Sequence, residues 1–255
     1  VVERAIEKGM YVILDYHDHY ANKGNARTNA KEFFNKMSRT YGGNKNIIYE
    51  TFNEPISVDG RNSDADGYYD SQSTYSKNYW NNVLKPYHIE LIKIIRKHDP
   101  YNIIIVGTGI YSQHVTTAAL NPITKGDLDG SSDTTLAYNV AYTFHFYPGI
   151  YSEGHTVSGL GGEATGGKNS GLSVFATEWG QNYSSPPFSG WSDEWKQWLV
   201  DNKFSSCNWS VHNKGGEDIN WSIIQGSDVN NLSLTEPGNK MKTFMENNAS
   251  GWGGN

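Results

Sequence analysis

The stretch Ile47-Ile48-Tyr49-Glu50-Thr51-Phe52-Asn53-Glu54-Pro55 decides how this chain folds. Its first six residues are mostly β-branched or aromatic, the types that fit a pleated, half-buried surface. Pro55 has no amide hydrogen with which to continue a ladder, so the strand predicted over Ile47–Phe52 stops beside a carboxylate, Glu54. A second run has the same plan: Leu172-Ser173-Val174-Phe175-Ala176-Thr177-Glu178-Trp179-Gly180, with Glu178 just ahead of a breaker. A carboxylate at the C-terminal end of a buried strand sits at the mouth of a sheet or barrel, where chemistry is usually done.

Working outward, short β-like runs alternate with longer helical ones. Met10–Tyr16 reads as a near-continuous apolar strand, and further strands are predicted over Ile103–Val106, Ala141–Phe146, Val174–Thr177 and Ser205–Ser210. Between them, helices are predicted over Asn29–Tyr41 and Tyr79–Lys97, and Val1–Lys8 reads as the end of another, closed by Gly9. Ser57–Ser76 and the glycine-rich Ser158–Gly171 are expected to be surface loops. Apolar strands alternating with helices indicate an α/β fold with a parallel sheet covered on both faces. Polar residues cluster after the strands, as in a TIM-type (β/α)8 barrel whose strand ends carry the site.

Six strands are visible, and a closed barrel of that type has eight. The first two strand-helix units are therefore expected upstream of Val1, with residues 1–246 forming a barrel domain incomplete at its N-terminus and 247–255 a tail or the start of a linker. If the chain truly starts at Val1, a sheet with two open edges is expected to recruit a second copy as a dimer.

Composition narrows the classes. With 255 residues and a formal charge of -6, the chain shows no basic stripe of the kind that tracks nucleic acid. No apolar run approaches a membrane span. A single cysteine, Cys207, excludes an intrachain disulfide. The 8 Trp and 17 Tyr exceed the needs of a core, and flat aromatic rings can serve as platforms for sugars. Trp191, Trp195 and Trp198 fall at helical spacing and are assigned to the core.

Two strand-end glutamates are what hydrolysis of a glycosidic bond requires: one donates a proton to the leaving oxygen, the other attacks or stabilises the anomeric carbon. The segment Asp15-Tyr16-His17-Asp18-His19 also has metal-ligand chemistry. Its donors are compressed into one strand and its exit, with no complementary cluster elsewhere, so no metal or other cofactor is expected.

The motifs Met10–His17, Tyr49–Pro55, Tyr142–Tyr147, Ala176–Gly180 and Cys207–Ser210, in that order, resemble glycoside hydrolase family 5 and its bacterial endoglucanases in particular. The resemblance covers nearly the whole chain. It implies that Glu54 is the general acid/base and Glu178 the nucleophile of a retaining endo-β-1,4-glucanase. It also implies that Asn53 bonds the sugar 2-hydroxyl, that His17 binds sugar, that His145 and Tyr147 line the cleft, and that the Tyr147 hydroxyl bonds the nucleophile. Trp209 is expected to be a stacking floor. Lys214 and Glu217 resemble polar sugar contacts, although Gly215-Gly216 intervene where the related enzymes have one residue. A histidine and an arginine of the family's site are expected upstream of Val1. The implied partner is a β-glucan polysaccharide, met by a secreted or cell-surface bacterial protein. β-Mannanase, xylanase, mixed-linkage glucanase and a carbohydrate-binding protein without catalysis remain open alternatives.

Overall fold

The computed structural model describes residues 1–57, 67–148, 155–180, 191–213, 222–226, 228 and 230–248. In chain order the elements are α1 (Val2–Glu7), β1 (Val12–Asp15), α2 (Gly24–Tyr41), β2 (Ile47–Glu50), α3 (Thr74–Tyr79) and α4 (Lys85–Arg96). Next come β3 (Ile104–Val106), α5 (Gly109–Ser112), α6 (Val115–Leu120), α7 (Lys125–Asp129), β4 (Val140–Phe146) and α8 (Gly161–Asn169). The series ends with β5 (Ser173–Trp179), α9 (Trp191–Asn202), β6 (Ser205–Asn208), β7 (Ile224–Gln225), β8 (Ser233–Leu234) and α10 (Glu236–Asn248). One six-stranded sheet has the order β1-β2-β3-β4-β5-β6, and β7 and β8 form a separate antiparallel pair. Parallel neighbours in sequence order require helical crossovers, and helices stand between them here.

The chain divides into two compact units, Val1–Phe144 with Glu163–Phe175, and His145–Gly162 with Ala176–Asn255. In the first, β1 to β4 are parallel, with Val12 opposite Ile47, Tyr49 opposite Ile104, and Ile104 opposite Val140. Side chains alternate across a strand, so Ile48, Ile105 and Ala141 share one face and pack together with Ile13 and Phe175. Burying a large aliphatic side chain contributes about 1.5–3 kcal/mol, and a slip of one residue would turn this whole stripe to the other face. On α2 and α4, Phe34, Leu91, Ile92 and Ile95 are fully buried.

The second unit has an aromatic core. Phe146 stacks on Trp195 at 4.0 Å between ring centroids and on Trp179 at 5.5 Å, and Trp198 meets Trp195 edge-on at 5.0 Å. Each such pair adds about 0.5–1.5 kcal/mol beyond its buried area. Trp195 and Trp198 are therefore core residues, as their spacing predicts; the Trp191 side chain lies outside the described residues.

Several boundaries differ from the sequence expectation: β1 is Val12–Asp15, α2 begins at Gly24 and β6 ends at Asn208. The strand expected over Ile47–Phe52 ends at Glu50, so Glu54 lies on a segment beyond β2. The helix expected from Tyr79 starts at Thr74 and passes through a π-helical turn, Trp80–Leu84, before α4. Pro86 lacks the N–H that would close an α-type bond there, which favours a wider turn just ahead of it. Ser158–Gly171 is not all loop, because α8 occupies Gly161–Asn169. Its glycines permit close packing: a Cβ at Gly167 would stand 2.4 Å from Val115 Cγ1, and one at Gly166 would stand 2.7 Å from Thr116 Cγ2. Finally, Asn247 and Asn248 close α10, so that helix crosses the boundary expected at 246.

Candidate active site

In the first unit the site grows from the exits of β1 and β2. Asp15 ends β1, and His17 Nδ1 donates to its Oδ2 at 2.8 Å. That bond sets the tautomer and leaves Nε2 as the acceptor nitrogen. Asn53 Nδ2 stands 3.5 Å from His17 Nε2, and Asn53 is only 3% exposed. His19 Nδ1 donates to the Glu54 backbone oxygen at 3.2 Å and lies 3.6 Å from Glu54 Oε2. Asp18 Oδ1 accepts the Tyr20 N–H at 2.6 Å. Asp15, His17 and Asp18 thus pair locally while His19 pairs with Glu54, and among the described residues none of the four joins a three-donor group.

Beyond a last bond to β3 at Thr51, the segment to Pro55 leaves the ladder, yet it is pinned along its length. The Thr51 N–H donates to Ile105 O at 2.9 Å, and the Tyr111 N–H to Pro55 O at 2.9 Å. Tyr87 OH donates to Thr51 O at 3.0 Å and Ser112 Oγ to Asn53 O at 2.7 Å. Gly107 is needed for this approach, since a Cβ there would meet Phe52 O at 2.4 Å. Fully buried His88 lies 2.9 Å from Thr51 Oγ1 and donates from Nε2 to Gly107 O at 2.9 Å. Burial pushes the His88 pKa down to about 3, so the ring is neutral.

Strain is stored in this brace. Ile110, Tyr111 and Ser112 have φ of 55°, 55° and 57°, a left-handed run that residues with a Cβ rarely adopt. Such conformations cost about 1–3 kcal/mol each and persist where the surroundings over-determine them, typically at functional sites. Here the surroundings include the bonds that Tyr111 and Ser112 make to Pro55 and Asn53.

In the second unit, Glu178 lies inside β5, one residue before its end, and is 9% exposed. The Tyr147 hydroxyl donates to Glu178 Oε1. His145, buried near the end of β4, is bonded through Nε2 to Thr177 Oγ1 at 2.9 Å. The Tyr147 N–H donates to His155 Nδ1 at 3.0 Å. Trp209 follows β6, is 39% exposed, and donates its backbone N–H to Trp179 O at 2.7 Å.

Of the residues singled out from sequence, the first unit brings His17 to Asn53, and His19 holds the backbone of Glu54. The second unit brings Tyr147 to Glu178, and there His145 bonds the residue just before that glutamate. Lys214 and Glu217 lie outside the described residues. The sequence reading gave no role to His19, Ser112, His155 or Glu50. Glu50 is a buried carboxylate that accepts from Thr143 Oγ1 at 3.1 Å, and its signal was its place inside an apolar strand. His19, Ser112 and His155 bond backbone groups 35, 59 and 8 residues away, which no local pattern encodes.

The chain matches the family profile described as Cellulase (glycosyl hydrolase family 5) over residues 1–215. It is 33% identical over 252 residues to Endoglucanase Z of Dickeya dadantii (strain 3937), covering 96% of this chain and 48% of that protein. To Endoglucanase A of Evansella cellulosilytica it is 35% identical over 217 residues, covering 84% of this chain and 37% of that protein. The chain thus spans less than half the length of either relative. Among solved structures, Cellulase Cel5C_n is similar with a TM-score of 0.71 at 29% identity, over 95% of this chain and 66% of that one. The six in-order strands with their helices are of the (β/α)8 class. With its profile matched over most of its length, the chain belongs to glycosyl hydrolase family 5.

Proposed function

We propose that this chain carries the catalytic groups of a retaining endo-β-1,4-glucanase acting on cellulose or soluble β-glucan. The observation that supports this most is the Tyr147 hydroxyl donating to Glu178, a buried carboxylate held by a strand. A hydroxyl donor on one carboxylate oxygen favours the ionised form that a nucleophile requires.

The reaction then follows from roles. Glu178 attacks the anomeric carbon while Glu54 gives its proton to the departing oxygen, and the glycosidic bond breaks. Glu54, now a base, takes a proton from water, which attacks the same carbon and frees Glu178. Such double displacement works with the two carboxyl groups about 5–5.5 Å apart. Asn53 is assigned to the sugar 2-hydroxyl, where hydrogen bonds strengthen in the transition state. His17 and His145 are assigned to sugar hydroxyls, and the exposed ring of Trp209 to a stacking floor. Lys214 and Glu217 remain assigned to polar sugar contacts. Residues 1–246 act in this reading as one catalytic module. A polymer that cannot enter a cell places it outside, secreted or at the surface. The bacterial relatives named endoglucanase support the glucan over mannan or xylan.

Removing the nucleophile tests the proposal. Glu178→Ala should lose more than about 10⁴-fold in kcat on a chromogenic cellobioside, with polysaccharide binding retained. Added azide should restore turnover and give a glycosyl azide of inverted configuration. Rescue with unchanged configuration, or none of these losses, would overturn the assignment.

A further inference from the structure

Tyr147 sits one residue beyond the end of β4, where the sheet ladder stops. Its N–H is taken by a side chain, His155 Nδ1, at 3.0 Å. His155 is 7% exposed, and its own backbone oxygen accepts the indole N–H of Trp195 at 3.0 Å. Trp195 in turn stacks on Phe146, the residue before Tyr147, with the rings 15° from parallel. The contacts close a ring: Phe146 on Trp195, Trp195 to His155, His155 to Tyr147. Two adjacent residues of the chain are thereby held, one by its side chain and the other by its backbone. The orientation of the Tyr147 side chain follows from that backbone, and its hydroxyl ends on Glu178 Oε1.

We infer that His155 is a positioning residue for the nucleophile: by accepting the Tyr147 N–H it sets the direction from which the Tyr147 hydroxyl reaches Glu178. The inference rests on the glucanase reading and goes beyond it in naming what fixes the tyrosine. To accept an N–H, Nδ1 must carry no proton, so the ring is the neutral tautomer with its hydrogen on Nε2. Burial supports this by pushing the imidazole pKa down to about 4. A positively charged ring would present a proton to the Tyr147 amide and break the clamp.

The test compares two substitutions in the full chain, alone and combined with Tyr147→Phe. His155→Leu removes the acceptor, whereas His155→Asn keeps an acceptor oxygen close to the place of Nδ1. For His155→Leu we expect kcat on a soluble β-glucan to fall about 10-fold with KM nearly unchanged, in line with the cost of a small misplacement. His155→Asn should recover most of that loss. In the Tyr147→Phe background, His155→Leu should cost nothing more, because the hydroxyl it directs is gone. Nitrogen-15 NMR of the unsubstituted chain near neutral pH should show an unprotonated His155 Nδ1, a readout independent of turnover and of whether the leucine variant folds. Equal losses in the Asn and Leu variants, an undiminished loss in the Tyr147→Phe background, or a protonated Nδ1 in a turning-over enzyme would overturn this inference alone. An unsubstituted chain that turns over no β-glucan would overturn the glucanase reading and this inference with it.

Discussion

Glu54 and Glu178 are held in opposite ways. Glu178 is a strand residue, and the ladder of β5 together with one tyrosine hydroxyl fixes it. Glu54 lies beyond its strand, on a segment whose backbone is tied down bond by bond to Ile105, Ser112, Tyr87, His19 and Tyr111. The difference matches the work assigned to each. A nucleophile needs one invariant line of attack, which a strand supplies. A general acid must give up a proton and take it back, and a group on a braced loop is positioned without being sealed in: the Glu54 side chain is 13% exposed. The loop's rigidity is costly, since it leans on three left-handed residues in a row.

If the contrast is real, the two carboxylates should respond differently to the leaving group. Glu54→Gln should slow substrates with poor leaving groups by about 10²- to 10⁴-fold, and slow activated phenol glycosides far less, because a phenolate departs without a proton. Equal losses across a leaving-group series would erase the distinction. A smaller effect tests the donor on the other side. Tyr147→Phe should lower kcat about 10- to 100-fold, the range for deleting a hydrogen bond to a charged group, with no trend across leaving groups when breakdown of the covalent intermediate limits the rate. A loss confined to KM would mean that the tyrosine serves the sugar and not Glu178.

Much of this was legible beforehand. Both glutamates announce themselves by ending apolar runs at a breaker, and the alternation of Ile47, Ile48 and Tyr49 with helical stretches gave the parallel sheet. The strand end at Glu50 was not legible, because Thr51 and Phe52 have high β propensity, while the backbone from Phe52 to Pro55 is held by the close approach at Gly107 and by the bonds from Tyr111 and Ser112. Nor was α8, whose glycine content argues for loop; its helix depends on backbone packing against Val115 and Thr116, a tertiary effect that overrides propensity. The site was readable where residue type carries the chemistry and unreadable where position does, as with Ser112 and His155.

The last prediction concerns stability rather than rate. His88, under the Glu54 segment, is neutral when folded with a pKa of about 3, while the unfolded chain takes up that proton near its ordinary value of 6.5. The unfolded state therefore binds more protons in that window. Stability is fully present above about pH 6.5 and is lost as the pH falls toward 3, at up to about 1.4 kcal/mol per pH unit for one proton. The melting temperature should decline through this range, and His88→Gln, although less stable at neutral pH, should show a shallower decline. Parallel curves for the two proteins would show that His88 is not the group responsible.

The assignment of Glu178 as nucleophile supports everything above, and it can be read directly by trapping. A 2-deoxy-2-fluoro cellobioside with an activated leaving group slows both steps but the second more, so the covalent intermediate accumulates. After digestion, mass spectrometry should find the fluorinated disaccharide on the peptide that contains Glu178 and on that residue. A label on Glu54, or stoichiometric labelling that survives Glu178→Ala, would contradict the account.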